Sequence, residues 1–279
     1  MPSNPWLAYL WPWRYRDLIW QFARREVLTR YRGSWLGMGW SVLTPLAMLL
    51  IYTLVFKHVF QARWPSSAEG SNFDFALNLY AGLIVFNWTV ELLARAPRLI
   101  LDQPNLVTKV VFPLPVLAWS ALLAAGFQTL ISTLLWLIAC ALGGHVPSAL
   151  WLMAPVILLS FAPWLLGMSW LLCSLGVYLR DLSQLVALTM SGLMFLSPVF
   201  YPTQALPEWL RPMAQWNPLT GPIEALRDCV LSGVMPNAWL MATSTAMGLL
   251  TCVLGLALMQ RIKHALDPQG LLNPGRVVR

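Results

Sequence analysis

The sequence predicts an all-α fold, a polytopic bundle of membrane-spanning helices, and three observations carry that prediction. Of its 279 residues, 58% are hydrophobic and only 10% charged, where a soluble domain would carry about 25% charged residues. The apolar residues gather into six charge-free windows, each near or above the ~20 residues that cross a hydrocarbon core of about 30 Å. No window alternates apolar and polar residues in strands of about ten, as a membrane barrel requires.

Taken in order, residues 1–34 form a cytoplasmic N-terminus. It contains a basic, aromatic stretch over 14–32, with Tyr15, Leu18, Ile19 and Phe22 on one side of two helical turns, the pattern of a helix lying at a membrane interface. That stretch is too charged for the apolar core of a cleavable signal peptide. A six-span domain is expected over 35–262. Its first span, 42–56, follows the small-residue run Gly33-Ser34-Trp35-Leu36-Gly37 and contains Pro45, so a neighbouring helix can come close there.

An outer loop over 61–72 leads to the second span, 75–90, which stops beside Glu91. The polar segment 95–112 is expected outside the membrane as a short cytoplasmic helix, ended by Pro113 and Pro115. The third and fourth spans cover 114–144 and 149–179, and a single charged turn, Arg180-Asp181, separates the fourth from the fifth, 182–201. Seven prolines punctuate 198–237, too many for a span in a stretch too apolar for a free loop. Short re-entrant or surface-lying helices on the outer face are the physical compromise. The sixth span covers 238–260, and 263–279 is read as a cytoplasmic tail.

The formal net charge of +7 does not point to nucleic acid, because the cations track this topology. With the N-terminus inside, only Lys57, Arg63, Arg211 and Arg227 fall on the outer side, and the other fourteen of the eighteen Lys and Arg residues fall inside. That is the bias of cationic loops retained in the cytoplasm, and six spans then place both termini there. Sixteen tryptophans read first as an interfacial belt, with Trp35, Trp40, Trp88, Trp151, Trp209 and Trp239 near expected span ends. Sugar stacking is the other reading. Cys140, Cys173, Cys229 and Cys252 have neither close pairing nor metal-ligand spacing and read as packing residues.

Several chemistries are missing from the sequence. No glycine-rich window ends in Lys and Ser or Thr, so this chain is not expected to bind and hydrolyse ATP itself. His58, His145 and His264 are scattered without ligand partners, which argues against a metal. The spans hold almost no ionisable residue on which ion coupling could rest. Gln128 in the third span reads as an interhelical hydrogen-bonding group.

Four segments together resemble the type-2 ABC exporter permeases, in the branch that moves O-antigen, capsular or teichoic polymers. They are Arg30-Tyr31-Arg32-Gly33-Ser34-Trp35-Leu36-Gly37 with Trp40 and Thr44-Pro45; Thr108-Lys109-Val110-Val111-Phe112-Pro113; Gly176-Val177-Tyr178-Leu179-Arg180-Asp181; and Ser197-Pro198-Val199-Phe200-Tyr201-Pro202 followed by Leu206-Pro207, Asn217-Pro218-Leu219 and Glu224-Ala225-Leu226-Arg227-Asp228. The resemblance covers residues 14 to about 260.

It implies a non-enzymatic transport subunit of the bacterial inner membrane, a homodimer with two copies of a separate ATPase subunit, which would bind ATP and Mg, and a lipid-linked polysaccharide as cargo. The ATPase contact would be flanked by Arg24, Arg25, Arg30 and Arg32, with residues 99–109, from Leu99 to Lys109, as its core and Arg180 and Asp181 facing the same side. Pro198, Tyr201, Pro202, Asn217, Pro218, Glu224, Arg227 and Asp228 would belong to an outer re-entrant gate. For Glu224, Arg227 and Asp228 the plainer reading is helix-internal i,i+3 and i,i+4 contacts, and for Arg180 and Asp181 a local ion pair.

Tyr52, Phe56, Tyr80, Phe86 and Trp88 are the candidates for stacking on sugar rings, with lipid-facing or packing roles as the alternative. A permease for drugs or small amphipathic molecules, an ion-coupled carrier and a membrane scaffold are the rival functions. The tail from Lys263 to Arg276 departs from this pattern and resembles the closing segment of FAD-linked oxidases, although fourteen residues are too few to build a flavin site.

Overall fold

A computed structural model describes residues 12–55, 72–104, 106, 112–236 and 238–266. Helices α1 (Arg16–Tyr31), α2 (Trp40–Val55), α3 (Asn72–Leu93), α4 (Pro115–Leu142), α5 (Met153–Gly176), α6 (Leu182–Leu196), α7 (Arg211–Trp216), α8 (Thr220–Arg227) and α9 (Ala238–Leu266) follow in chain order. No strand occurs among the described residues, in agreement with the all-α expectation. Among the described residues, five stretches are long and apolar enough to cross a membrane: Gly37–Val55, Phe73–Arg98, Pro115–Leu142, Ala149–Gly176 and Met241–Arg261.

The expected fifth span, 182–201, is shorter than its hydropathy suggested. Its helix α6 has 15 residues, about 22 Å at 1.5 Å per residue. The backbone turns extended at Ser197, the residue before Pro198, where an αR conformation is disfavoured. The Tyr201 hydroxyl then donates to the Phe195 carbonyl at 2.6 Å and folds the following segment back on the helix end. Pro115 opens α4 at its first turn, a position where its missing N–H would have no intrahelical partner.

Helix α3 is the hub. It packs against α2, α4, α5 and α8, and 83% of its apolar window is buried within the chain, against 17% for α2 and 22% for α9. The tryptophans at 136 and 170 are fully buried and donate their indole N–H groups to the carbonyls of Leu77 at 2.9 Å and Pro115 at 3.1 Å, so α4 is pinned to α3 and α5 to α4.

Helices α5 and α9 meet backbone to backbone. A Cβ on Gly248 would lie 2.7 Å from the Trp164 nitrogen, and one on Gly255 would lie 2.6 Å from the Gly167 carbonyl oxygen. Small residues allow this approach in a bundle whose lipid surroundings offer little hydrophobic drive for helix association. Cys252 donates its thiol to the Pro163 carbonyl across the same contact.

Helix α1 is not merely laid on a surface. Ile19 and Ala23 are buried, its main neighbour is α4, and the Phe22 ring packs on Phe112 with centroids 5.3 Å apart. Helix α1 marks one end of the bundle, the near end, and α7 and α8 mark the far end. All four cysteines are free and buried, as their scattered spacing indicated.

Candidate functional site

Two concave sites share the last turns of α1. The first is a cavity of about 410 Å³ between the C-terminal end of α1 and helices α2, α3 and α4, within the range of small-molecule sites. Aromatic rings of Tyr31, Trp40, Tyr52, Tyr80 and Trp88 alternate around it with Asn87, Gln128, Thr129 and Ser132. Tyr80, Ile84, Asn87, Trp88 and Glu91 recur along α3 at helical spacing, which puts them on one face.

The Trp88 indole N–H is buried and has no hydrogen-bond partner among the described residues. Its ring meets Phe161 edge-on at 6.3 Å. At the near end the cavity is crossed by a relay of three helices: the Tyr31 hydroxyl donates to Gln128 Oε1 at 2.9 Å, and Gln128 Nε2 donates to the Ser41 carbonyl at 2.9 Å. This is the interhelical role read for Gln128 from the sequence.

An ion pair between Arg30 and Glu91 closes the same end. Burial works against the Arg30 charge, but the hydrogen bond and the field of Glu91 outweigh it and hold the guanidinium above its ordinary pKa. Because removing one partner strands the other in a partly dry site, Arg30→Met is expected to lower the thermal unfolding temperature of the purified chain. The double variant Arg30→Met/Glu91→Met is expected to regain most of the loss. Equal melting of the single variant and the unmodified chain would remove the pair from the argument.

The second site is a groove of about 580 Å³ at the near end, lined by Phe22, Arg25, Glu26, Thr29 and Arg30 from α1, by Arg95, Leu99, Asp102 and Gln103 from the segment after α3, and by Leu117 and Ser120 of α4. An Arg95–Glu26 ion pair bridges its two sides. The short 3-10 turn Ala96–Arg98 rests on α5, where Cys173 donates its thiol to the Ala96 carbonyl. Arg98 Nε reaches the Ser183 hydroxyl at 3.2 Å, next to the Arg180-Asp181 turn.

These geometries sort the sequence candidates. Arg25, Arg30 and Leu99 meet in the groove, whereas Arg24 and Arg32 are exposed outside it. Arg180 and Asp181 are exposed, and among the described residues no ion pair joins them. Tyr52, Tyr80 and Trp88 share one cavity; Phe86 is buried on α3 but does not line it. Trp88 is therefore an interior residue rather than part of an interfacial belt, while Trp35, Trp40 and Trp209 are exposed as a belt requires. Phe56 and Lys109 lie outside the described residues.

At the far end, Pro198, Asn217 and Arg227 are buried and Tyr201, Pro202, Pro218 and Glu224 half-buried, while Asp228 is exposed. Asn217 Nδ2 donates to the Ser197 hydroxyl at 2.8 Å, and its Oδ1 accepts from the Leu219 N–H at 3.0 Å. Arg227 reaches beyond its own helix to backbone carbonyls of α3 and of the segment after α6. Glu224 accepts from the Thr203 hydroxyl. Sequence reasoning missed the Arg30–Glu91 and Arg95–Glu26 pairs; opposite charges clustered at neighbouring span ends were the available signal.

Comparison with known proteins decides the family. Residues 17–231 match the family described as ABC-2 type transporter. The chain belongs to that family. Among the curated relatives of this ABC-2 chain is the O-antigen export system permease protein RfbA of Myxococcus xanthus, 30% identical over 194 residues, which cover 70% of this chain and 72% of that protein. RfbA of Klebsiella pneumoniae is 24% identical over 249 residues, 89% of this chain and 93% of that protein. The polysialic acid transport protein KpsM of Escherichia coli is 24% identical over 245 residues, 87% and 92% of the two chains. A local similarity to the C-terminal domain of FAD linked oxidases covers residues 251–277; its described part, to Leu266, continues helix α9.

Proposed function

We propose that this ABC-2 chain is the membrane subunit of an ATP-driven exporter of polysaccharide in the bacterial inner membrane. The observation that carries the reading is the cavity between α1 and α4, in which flat rings of Trp40, Tyr52, Tyr80 and Trp88 stand among amide and hydroxyl groups. Pyranose rings have apolar faces and hydroxyl rims, so such a lining holds a sugar by stacking without fixing one hydroxyl pattern, and a long chain can slide along it. The relatives that export O-antigen and polysialic acid support the same cargo class.

The chain works as a homodimer with both termini inside. Helix α2 walls the aromatic cavity and is the least covered span, so a second copy set against it would complete the conduit. Residues 182–201 serve as the fifth of six crossings, and the far-end helices α7 and α8 are the re-entrant outer gate. A separate ATPase subunit, which binds ATP and Mg, docks in the near-end groove, with Arg24, Arg25, Arg30, Arg32, Leu99, Arg180 and Asp181 around the contact; Lys109, assigned to the same contact from the sequence, lies outside the described residues. Helix α1 lines both that groove and the cavity, so a push on the groove is felt at Arg30, Tyr31 and Gln128.

The test compares surface and intracellular glycan in a strain lacking this chain and in its parent, by gel ladders and analysis of lipid-linked sugars. Loss of surface polymer with accumulation inside is expected. An unchanged surface would remove polysaccharide as the cargo and turn the search to small amphipathic substrates. Replacing the exposed groove residues Asp102 and Gln103 together with their exposed neighbour Leu101 should abolish co-purification of the ATPase while the chain still inserts; an intact complex would refute the docking site.

A further inference from the structure

A second cavity, of about 380 Å³, lies toward the far end between α5, α9 and residues 203–224. One wall is aromatic. The rings of Phe161 and Trp164 stack there with centroids 5.3 Å apart and planes 16° from parallel, and the exposed Trp216 stands at the margin. The facing wall carries Thr220 and Glu224 of α8. The Thr220 side chain is 6% exposed, and its hydroxyl has no hydrogen-bond partner among the described residues. A buried hydroxyl left unpaired is costly, so this one is built to meet a group that enters the cavity.

The charges narrow what that group is. Arg211 and Glu224 both line the cavity and balance formally, and Arg211 directs Nε to the Leu206 carbonyl at 3.1 Å. An anionic head would therefore face the Glu224 carboxylate without a cation dedicated to it. An uncharged ring with one apolar face and a hydroxyl rim fits both walls. The aromatic wall is also continuous with the cavity described above, since Phe161 touches Trp88 edge-on at 6.3 Å and Trp88 lines that cavity.

We propose that this far-end cavity is an exit-side subsite that holds one neutral sugar ring of the exported glycan, stacked on Trp164, which Phe161 backs from behind, and hydrogen-bonded by Thr220 and Glu224. The proposal rests on the export reading above and adds to it a second binding station and the chemistry of its occupant. A polymer held at two stations joined by an aromatic wall is less free to slip back between transport steps.

The full-length chain in lipid nanodiscs is titrated with the methyl glycosides of glucose, galactose, mannose and rhamnose, followed by saturation-transfer NMR. At least one is expected to bind saturably. Thr220→Val, which keeps the shape and removes the hydroxyl, is expected to weaken that binding about tenfold, the upper end of one hydrogen bond. Thr220→Ser keeps the hydroxyl and is expected to bind like the unmodified chain, as a check on folding.

Binding of none of the four, or equal binding by Thr220→Val and Glu224→Gln, overturns the subsite. Glycerol 1-phosphate and phosphoethanolamine serve as headgroup probes, and binding of either in place of the glycosides, lost in Thr220→Val, overturns the sugar assignment. The deletion strain keeps the two readings apart. Surface polymer lost on deletion while the purified chain ignores every glycoside sinks the subsite alone. Surface polymer unchanged on deletion sinks the export reading, and with it the source assigned to the sugar.

Discussion

Gly176→Val is expected to leave the chain in the membrane but to cut surface polymer to near nothing and to release the ATPase subunit. Gly176 ends α5 and is buried against the 3-10 turn Ala96–Arg98, so closely that a Cβ there would fall on the carbonyl group of Pro97 and within 2.8 Å of its Cα. Both sides of this contact are backbone, which cannot rotate away as a side chain would. The turn must leave α5, taking with it the bond from the Cys173 thiol to the Ala96 carbonyl.

Overpacking of this kind costs about 1–3 kcal/mol in a well-packed interior, a local loss that a bundle centred on α3 survives. The near-end groove does not survive it, because Arg95, Leu99, Asp102 and Gln103 line one side and hang from that turn. Co-purification of the ATPase and a gel of surface glycan check the outcome. Gly192→Ala is the matched control, since a Cβ there meets nothing within 4 Å and should change neither readout. A Gly176→Val strain with normal polymer and an intact complex would show that the turn does not carry the coupling.

The contrast between these two glycines explains how far the sequence could be read. Length and hydropathy place α2, α3, α4, α5 and α9 well, because a helix that must satisfy its backbone in hydrocarbon needs a long apolar run. They say little about which face points where. Helices α2 and α3 are both apolar, yet one is the least covered span and the other the most buried, since lipid and protein interior ask for the same side chains. Gly176 and Gly192 differ only in what lies across from them, which no local pattern records.

The cavity was legible in part for the same reason. Tyr52, Tyr80 and Trp88 stand out as aromatics inside spans, whereas Phe86, two residues from Trp88, turns to a different side of α3. Trp40, Asn87 and Ser132 join the site only because three helices separated in sequence converge on it. The unmet hydroxyl of Thr220 is a fact of packing and leaves no trace in composition.

Arg227 is where the plain sequence reading falls furthest short, and its replacement has the second large expected effect. Its side chain is 5% exposed. Nε donates to the Asn78 carbonyl at 2.8 Å, Nη1 to the Pro198 carbonyl at 2.6 Å and Nη2 to the Val199 carbonyl at 2.8 Å, so one fork ties α8 to α3 and to the extended segment after α6. Gly82 makes room for it, since a Cβ there would lie 3.0 Å from both Nη2 and the Val199 Cα.

Arg227→Met keeps an unbranched chain of similar reach but strips up to three buried carbonyls of this donor, at about 1–3 kcal/mol for each left unsatisfied. Helix α8 has eight residues and cannot stand without its seat, because isolated helices shorter than ~12–15 residues are marginal. The expected result is a chain whose far end opens and whose surface polymer is lost. Arg227→Lys should fail as well, since a single ammonium lacks the planar fork that spans separated carbonyls.

Cys229, fully buried two residues on, supplies a readout independent of export. In a chain whose other three cysteines are alanine, it should resist a maleimide in membranes and become reactive once Arg227 is replaced. Normal export together with an unreactive Cys229 in Arg227→Met would mean that the far-end helices hold by packing alone and that the guanidinium is dispensable.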